Sequence, residues 1–166
     1  MSTDPLDKVK RFFDESPDPK GSVPPRVGRY EIIRELGRGG MAVVYEALDP
    51  DLGRKVALKV LKEGSLARLR REAMAAAKLR HPNVVAVHEV GPDFIVMDLV
   101  EGRTLSEALP SLALQERLRI LHAIAGAVAS AHEQGVVHRD LKATNVILDR
   151  SGRPVLTDFG LAKIEG

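Results

Sequence analysis

Residues 138–160, HRDLKATNVILDRSGRPVLTDFG, decide how this chain is read. Polar residues crowd His138 to Asn145 immediately after an apolar helix. Two short β-branched and apolar runs follow, Val146–Leu148 and Val155–Thr157, with Ser151-Gly152 as turn chemistry between them. The runs form a hairpin. Its strands are antiparallel, so its two open ends are neighbours in space. Asn145 enters at one end and Asp158 leaves at the other. One amide oxygen and one carboxylate are thereby brought together, a donor set suited to a hard cation such as magnesium. Asp140 lies five residues before Asn145 and can serve the same site.

Upstream of this stretch, Gln115–Glu133 is a helix stopped by Gly135. Leu118, Ile120, Leu121, Ile124 and Val128 cover more than one of its faces, so it expects burial on most sides. A face left over would need a partner or further helices to cover it. Nearer the N-terminus the pattern is of strands: Tyr30–Leu36, Val43–Leu48, Arg54–Leu61, Asn83–Val90 and Phe94–Val100. Gly37-Arg38-Gly39-Gly40 and Asp49-Pro50-Asp51-Leu52-Gly53 are turns between consecutive strands. Leu66–Arg80 is a helix rich in alanine and arginine, ended by His81-Pro82. The fold class is α+β: a five-stranded antiparallel sheet with one helix, then the start of a helical part.

Two features of the strand region carry chemistry. Lys59 sits inside the apolar strand Val56–Leu61. A lysine buried there needs a partner, and Glu72 on the following helix is the natural one; the competing reading lays its stem along the sheet with its head in water. The glycine-rich turn brings backbone N–H groups close to a ligand, as phosphate oxygens would require. A dinucleotide fold would place a helix directly after the glycines, but Val43-Val44-Tyr45 follows. The phosphate-loop pattern ending in Gly-Lys-Ser/Thr is absent as well.

Composition narrows the rest. With 166 residues, 44% hydrophobic and 29% charged, the chain is an ordinary globular protein rather than a fibrous or disordered one. It contains no cysteine, which excludes disulfides, thiolate metal sites and cysteine nucleophiles. The net charge of +2 is too small to imply nucleic acid. Basic residues outnumber acidic ones from Arg54 to Arg80, but no aromatic residues interleave, so this is a solvated helix face and no nucleic-acid partner is expected. No run is apolar enough to span a membrane, the first ten residues are not a signal peptide, and the expected location is cytoplasmic. Residues 1–28, with Pro5, Pro17, Pro19, Pro24 and Pro25, read as a flexible tail. Leu6, Val9, Phe12 and Phe13 within it have the spacing of a transient helix. His81, His88, His122 and His132 are read as structural or exposed.

Taken together, these motifs resemble the eukaryotic-like (Hanks-type) serine/threonine protein kinases of bacteria. Gly37–Tyr45 resembles the glycine-rich loop and Val56-Ala57-Leu58-Lys59 the strand carrying the ATP-binding lysine. Glu72 matches that lysine's helix partner, His138-Arg139-Asp140 to Asn145 the catalytic loop, and Asp158-Phe159-Gly160 the magnesium motif. The resemblance covers residues 29–166 and stops just after Asp158-Phe159-Gly160, so it spans only the first part of a kinase domain. It divides the chain into an N-lobe at about 29–97, a hinge at about 98–102 and the start of a C-lobe at about 103–166.

What the resemblance implies is ATP-dependent transfer of a phosphoryl group to a serine or threonine hydroxyl of a protein, with ATP and Mg2+ as cofactors. Asp140 takes the hydroxyl proton and Lys142 stabilises the transferring group. Gly37, Gly39, Gly40, Lys59 and Glu72 serve the phosphates. Val44, Ala57 and Ile147 sandwich adenine; Met97 guards the back of that pocket, and Asp98 and Val100 belong to the hinge. Asn145 and Asp158 hold magnesium. Ala42 replaces the third loop glycine, and the stretch from Lys59 to Glu72 is short for the family. Two alternatives stand beside this reading: a nucleotide-binding regulatory module without catalysis, because most of a C-lobe is missing, and a small-molecule phosphotransferase of related fold.

Overall fold

The computed structural model describes residues 25–62, 70 and 73–158. The strand-forming residues of the N-terminal part build one antiparallel sheet. Its strands are β1 (Arg26–Val27), β2 (Tyr30–Arg38), β3 (Ala42–Asp49), β4 (Arg54–Leu61), β5 (Val87–Val90) and β6 (Phe94–Asp98), in the order β1-β2-β3-β4-β6-β5. The five expected strands are present, and β1 adds a sixth at the edge. Arg26 and Val27, assigned to the tail on composition, are therefore part of the sheet. Gly28, at φ 57°, and Arg29 make a two-residue hairpin that pairs Val27 with Tyr30, and Val27 is buried. Residues 1–24, including the apolar set at Leu6, Val9, Phe12 and Phe13, lie outside the described residues.

The register of β4 organises two cores. Val56, Leu58 and Val60 join Val43, Tyr45, Ala47, Phe94 and Val96 on one face. Ala57 and Leu61 join Ala42, Ile95 and Met97 on the other, with Val44 packed against them. Period-2 alternation makes this partition all or nothing: a slip of one residue would exchange the faces. Lys59 lies between Ala57 and Leu61, so it shares their face, opposite Val44 and Ile95.

The sheet curls until its far strands meet. Tyr30 Oη on β2 donates to Glu89 Oε2 on β5 at 2.7 Å, and Arg29 Nη2 reaches the same carboxylate at 2.9 Å. The Tyr30 ring meets Phe94 edge-on at 5.9 Å. Two register breaks in β2, between Ile32 and Arg34 and between Glu35 and Gly37, supply the extra twist that this closure needs.

The helix expected over Leu66–Arg80 falls partly outside the described residues; within them, residues 70 and 73–76 are helical. The helix gives way to a turn at Ala77-Lys78, earlier than proline at 82 requires. Arg80 Nη1 donates to the Ala77 and Leu79 carbonyls at 2.8 and 3.0 Å, and Leu79 is buried in the next core.

A second sheet, β7 (Gly102–Thr104), β8 (Val146–Asp149) and β9 (Pro154–Leu156), follows. Helix α1 (Leu105–Ala108) begins at Thr104, whose side chain and N–H exchange hydrogen bonds with Glu107. Helix α2 spans Leu114–Glu133, and the Ala113 N–H at its start donates to Glu116 at 3.0 Å. Ile120, Ile124, Ala127 and Ala131 face the core formed with Leu79, Val84, Leu148 and Leu156. Leu114, Leu118 and Leu121 are 71%, 55% and 64% exposed and form a stripe on the opposite side. The helix is thus covered on one face among the described residues. β7 and α1, which sequence patterning did not single out, pack against the β8 hairpin.

The two sheets are joined by more than the connection at 99–101. Val84 bridges Leu156 in parallel, and Asn83 Nδ2 donates to Pro154 O at 2.7 Å. β7 approaches β8 so closely that a Cβ on Gly102 would collide with the Leu148 carbonyl. Gly102→Ala is expected to destabilise the protein by about 1–3 kcal/mol, since a backbone shift must relieve the clash. Urea unfolding followed by circular dichroism measures this, and an unchanged midpoint would contradict the close approach.

Candidate functional site

The loop between α2 and β8 is held by its own polar groups. His138 is 2% exposed. Its Nδ1 accepts from the Asp140 N–H at 3.2 Å, so the ring proton resides on Nε2, which donates to Thr157 O at 2.8 Å. Thr157 reaches back in turn: its N–H and hydroxyl donate to Asn145 O at 2.8 and 3.0 Å. One imidazole and one threonine thereby tie the residue before Asp158 to both ends of the 138–145 loop. Arg139 and Asp158 both adopt left-handed backbone, at φ 64° and 61°. Such conformations cost about 1–3 kcal/mol each and persist where surrounding bonds over-determine them.

Asn145 is buried, and its Nδ2 donates to Asp140 O at 2.8 Å and Asp140 Oδ2 at 3.0 Å. With the nitrogen committed, Oδ1 is the amide atom left for a ligand. Lys142 Nζ lies 2.7 Å from Asp140 Oδ2. The Asp140 carboxyl is held below its ordinary value, first by the Lys142 bond and then by the Asn145 bond, against partial desolvation. Both partners engage Oδ2, which leaves Oδ1 to accept a proton.

Lys59 is only 12% exposed through its side chain, and its Nζ contacts Asp158 Oδ1 at 2.6 Å. Its expected partner Glu72 lies outside the described residues. The glycine turn leads into β3, whose Val44 lies opposite Lys59. Gly37, Gly39 and Gly40 all avoid positive φ, so the backbone does not require glycine at any of them. A Cβ at Gly37 or Gly40 would meet open space, and at Gly39 only ordinary contact with Ala42 O. What glycine preserves here is room beside the backbone. Among the described residues, the N–H groups of Gly40 and Met41 have no backbone partner.

The apolar slot behind this turn combines both sheets. Ala57 and Met97 are cross-strand neighbours and share a cluster with Val155, against which Val44, Leu99 and Val100 pack. Ile147, on β8, pairs with Thr104 and Val155. The Asp98 N–H is spent on Ala86 O at 3.0 Å, and its carboxylate on His88 Nε2 at 2.7 Å. A further, mostly apolar recess beside Met97 is lined by Ala73, Ala76, Val84, Val85, Val87 and Ile95, with Asp158 also in its wall.

The predicted residues therefore sort into three groups, Lys59 with Asp158, Asp140 with Lys142 and Asn145, and the slot of Val44, Ala57, Met97 and Val100, the first two linked through Thr157. Among the described residues no cluster of three or more histidine, aspartate or glutamate side chains forms a metal site. A single carboxylate and a single amide oxygen suit a cation whose remaining ligands are phosphate oxygens and water. That donor set and the open glycine backbone fit magnesium and a nucleotide. Sequence reading assigned no role to Thr157, to the two ring nitrogens of His138, or to the His88–Asp98 pair. Their partners are backbone atoms or residues on another strand, which leave no spacing signal.

Comparison with known proteins gives a consistent result. The protein kinase domain family matches residues 30–165. The chain is 45% identical over 149 residues to the probable serine/threonine-protein kinase PknB of Lactococcus lactis, covering 81% of this chain and 24% of that one. It is 43% identical over 148 residues to the serine/threonine-protein kinase PrkC of Bacillus subtilis, covering 81% and 23%. The chain thus spans about a quarter of the length of these curated relatives. The crystal structure of the Mycobacterium tuberculosis PknI kinase domain superposes with a TM-score of 0.74 at 33% identity, covering 86% of this chain and 64% of that one.

The electrostatics of Asp140 can be tested directly. Its carboxyl is expected to titrate below the ordinary aspartate range, and Lys142→Ala should move the midpoint upward by more than Asn145→Ala does. Folding lowers this value, so the stability linked to it is fully present above the unfolded value and is lost as pH falls through the folded one. Carbon-detected NMR titration of the carboxyl group measures the shift; a midpoint unmoved in Lys142→Ala would contradict the assigned cause.

Proposed function

The chain belongs to the protein kinase family, and from that premise we propose that it forms the nucleotide-binding part and catalytic loop of an ATP-dependent serine/threonine protein kinase. The observation that carries the proposal is the linkage of the Lys59–Asp158 pair to the Asp140–Lys142–Asn145 cluster through Thr157, which precedes Asp158 and donates twice to Asn145 O. In this reading residues 29–97 act as the N-lobe, 98–102 as the hinge and 103–166 as the start of the C-lobe.

Each residue has a defined task. The slot of Val44, Ala57, Met97, Val100 and Ile147 takes the adenine ring, and the Asp98 carbonyl accepts a hydrogen bond from it. Gly37, Gly39 and Gly40 let the turn's backbone approach the phosphates, and Lys59 neutralises them, with Glu72 as the proposed second partner of its ammonium. Asn145 Oδ1 and the Asp158 carboxylate hold Mg2+, which when bound supplies the charge that offsets the phosphate oxygens. The Lys59–Asp158 pair keeps both charges mutually neutralised at the place where phosphate oxygens and the cation would bind. Asp140, ionised throughout the neutral range, orients the substrate hydroxyl and accepts its proton on Oδ1. Lys142 is adjacent to that carboxylate and stabilises charge on the transferring phosphoryl group. The chemistry is positioning and charge stabilisation rather than covalent catalysis.

The substrate is a protein serine or threonine, supported by the relatives' printed activity and by Lys142 two residues after Asp140. No helix among the described residues is long and apolar enough to cross a membrane. The exposed stripe Leu114, Leu118 and Leu121 supports cover by further protein, either additional helices or a partner.

Two substitutions separate binding from transfer in the full-length polypeptide that carries these residues. Lys59→Met should weaken magnesium–ATP binding, because it removes a cation from the phosphate site. Asp140→Asn should preserve ATP binding and slow transfer roughly 10²–10⁴-fold. Isothermal titration and radiolabelled phosphate transfer to a generic protein substrate read the two effects. Parent-rate transfer by Asp140→Asn would remove Asp140 from the role of base.

A further inference from the structure

Lys62 immediately follows β4, and both its backbone and its side chain reach the glycine turn. Its N–H donates to Met41 O at 2.9 Å, continuing the β3–β4 ladder one step past the Ala42–Leu61 pair. Its Nζ crosses the tip of the turn and donates to Gly39 O at 2.9 Å. The Gly39 N–H bonds Ala42 O at 2.8 Å, so the turn is closed on itself and gripped from outside by one residue. Nothing in the turn's own composition supplies that grip. Glycine carries the largest backbone entropy to lose, and neither Gly37 nor Gly40 has a neighbour within reach of a Cβ. The Lys62 backbone bond fixes only the Met41 side of the tip. The ammonium–carbonyl bond, strengthened by its charge, fixes the Gly39 side.

We propose that Lys62 is a positioning residue that latches the glycine turn, holding the Gly40 and Met41 N–H groups toward the phosphates of a nucleoside triphosphate. It also keeps a second positive charge, besides Lys59, at the phosphate end of the cleft. The latch acts on that end alone, because the adenine slot is built from Ala57, Met97 and Val100, none of which Lys62 contacts through a hydrogen bond. This rests on the reading that the turn carries nucleotide phosphates.

The test compares magnesium–ATP with adenosine in the full-length polypeptide, by calorimetric titration of the parent, Lys62→Ala, Lys62→Met, Lys62→Arg and Lys59→Met. The expected result is an affinity for ATP about tenfold weaker in Lys62→Ala and Lys62→Met, with adenosine affinity unchanged. Lys62→Arg should recover most of the loss, since a guanidinium can donate to the same carbonyl. Steady-state rates should show a raised KM for ATP with kcat nearly constant. Undiminished ATP affinity in Lys62→Ala, alongside a loss in Lys59→Met, would overturn the latch and leave the nucleotide site standing. An equal loss for ATP and adenosine would also overturn it, assigning Lys62 to the sheet as a whole. If neither lysine matters to ATP, the nucleotide reading itself fails.

Discussion

The contact between Lys59 and Asp158 joins residues 99 positions apart and spans the cleft between the two sheets. It exists because β4 keeps a strict alternation. Val56, Leu58 and Val60 commit one face to the closed side of the curled sheet, so Lys59 has no choice but to enter the cleft with Ala57 and Leu61. An ammonium at 12% exposure needs an anionic partner there. The partner arrives on the second sheet, whose β9 strand ends two residues before Asp158. The site therefore depends on the register of one strand and on the docking of another.

That docking combines apolar contact, Val155 with Ala57, Ile95 and Met97, with hydrogen bonds to backbone atoms. Asn83 holds Pro154, Val85 N–H donates to Leu156 O at 3.0 Å, and Leu156 N–H donates to Asn83 O at 2.8 Å. Immediately beyond β9, Thr157 is fixed by Asn145 and His138, and Asp158 is then turned through a left-handed conformation. The strained backbone at Arg139 and Asp158 sits at the two places where the loop must reverse to aim a carboxylate. Strain of this kind is sustained only by a network satisfied at every member. His138, buried and using both ring nitrogens, is the member with least freedom to change.

The contrast with the glycine turn is instructive. At Gly28 the conformation itself, at positive φ in a two-residue hairpin, calls for glycine. At Gly37, Gly39 and Gly40 it does not, and the space beside them is largely open. The first is a folding requirement; the others are a binding requirement. Likewise α2 is apolar on two faces, yet only the side carrying Ile120, Ile124, Ala127 and Ala131 is covered among the described residues. The leucines opposite them do not contribute to this core.

Much of this protein was legible in the sequence. The five main strands, helix α2 and the hairpin bringing Asn145 toward Asp158 follow from alternation, turn residues and topology, which are local properties of the chain. So does the family, because Gly37 to Tyr45, Lys59, Asp140, Asn145 and Asp158 keep a fixed order. The tertiary structure decided what depends on long-range approach: the sixth strand at Arg26–Val27, the meeting of Tyr30 with Glu89 across the sheet, the end of the helix before Ala77, and the close passage of β7 over β8. It also decided that Lys59 pairs with Asp158, that His138 and Thr157 brace the loop, and that Lys62 grips Gly39. In most of these one partner is a backbone atom or a residue on a distant strand. Sequence spacing encodes which side chains share a face, but not which carbonyl a folded chain brings within 3 Å of them.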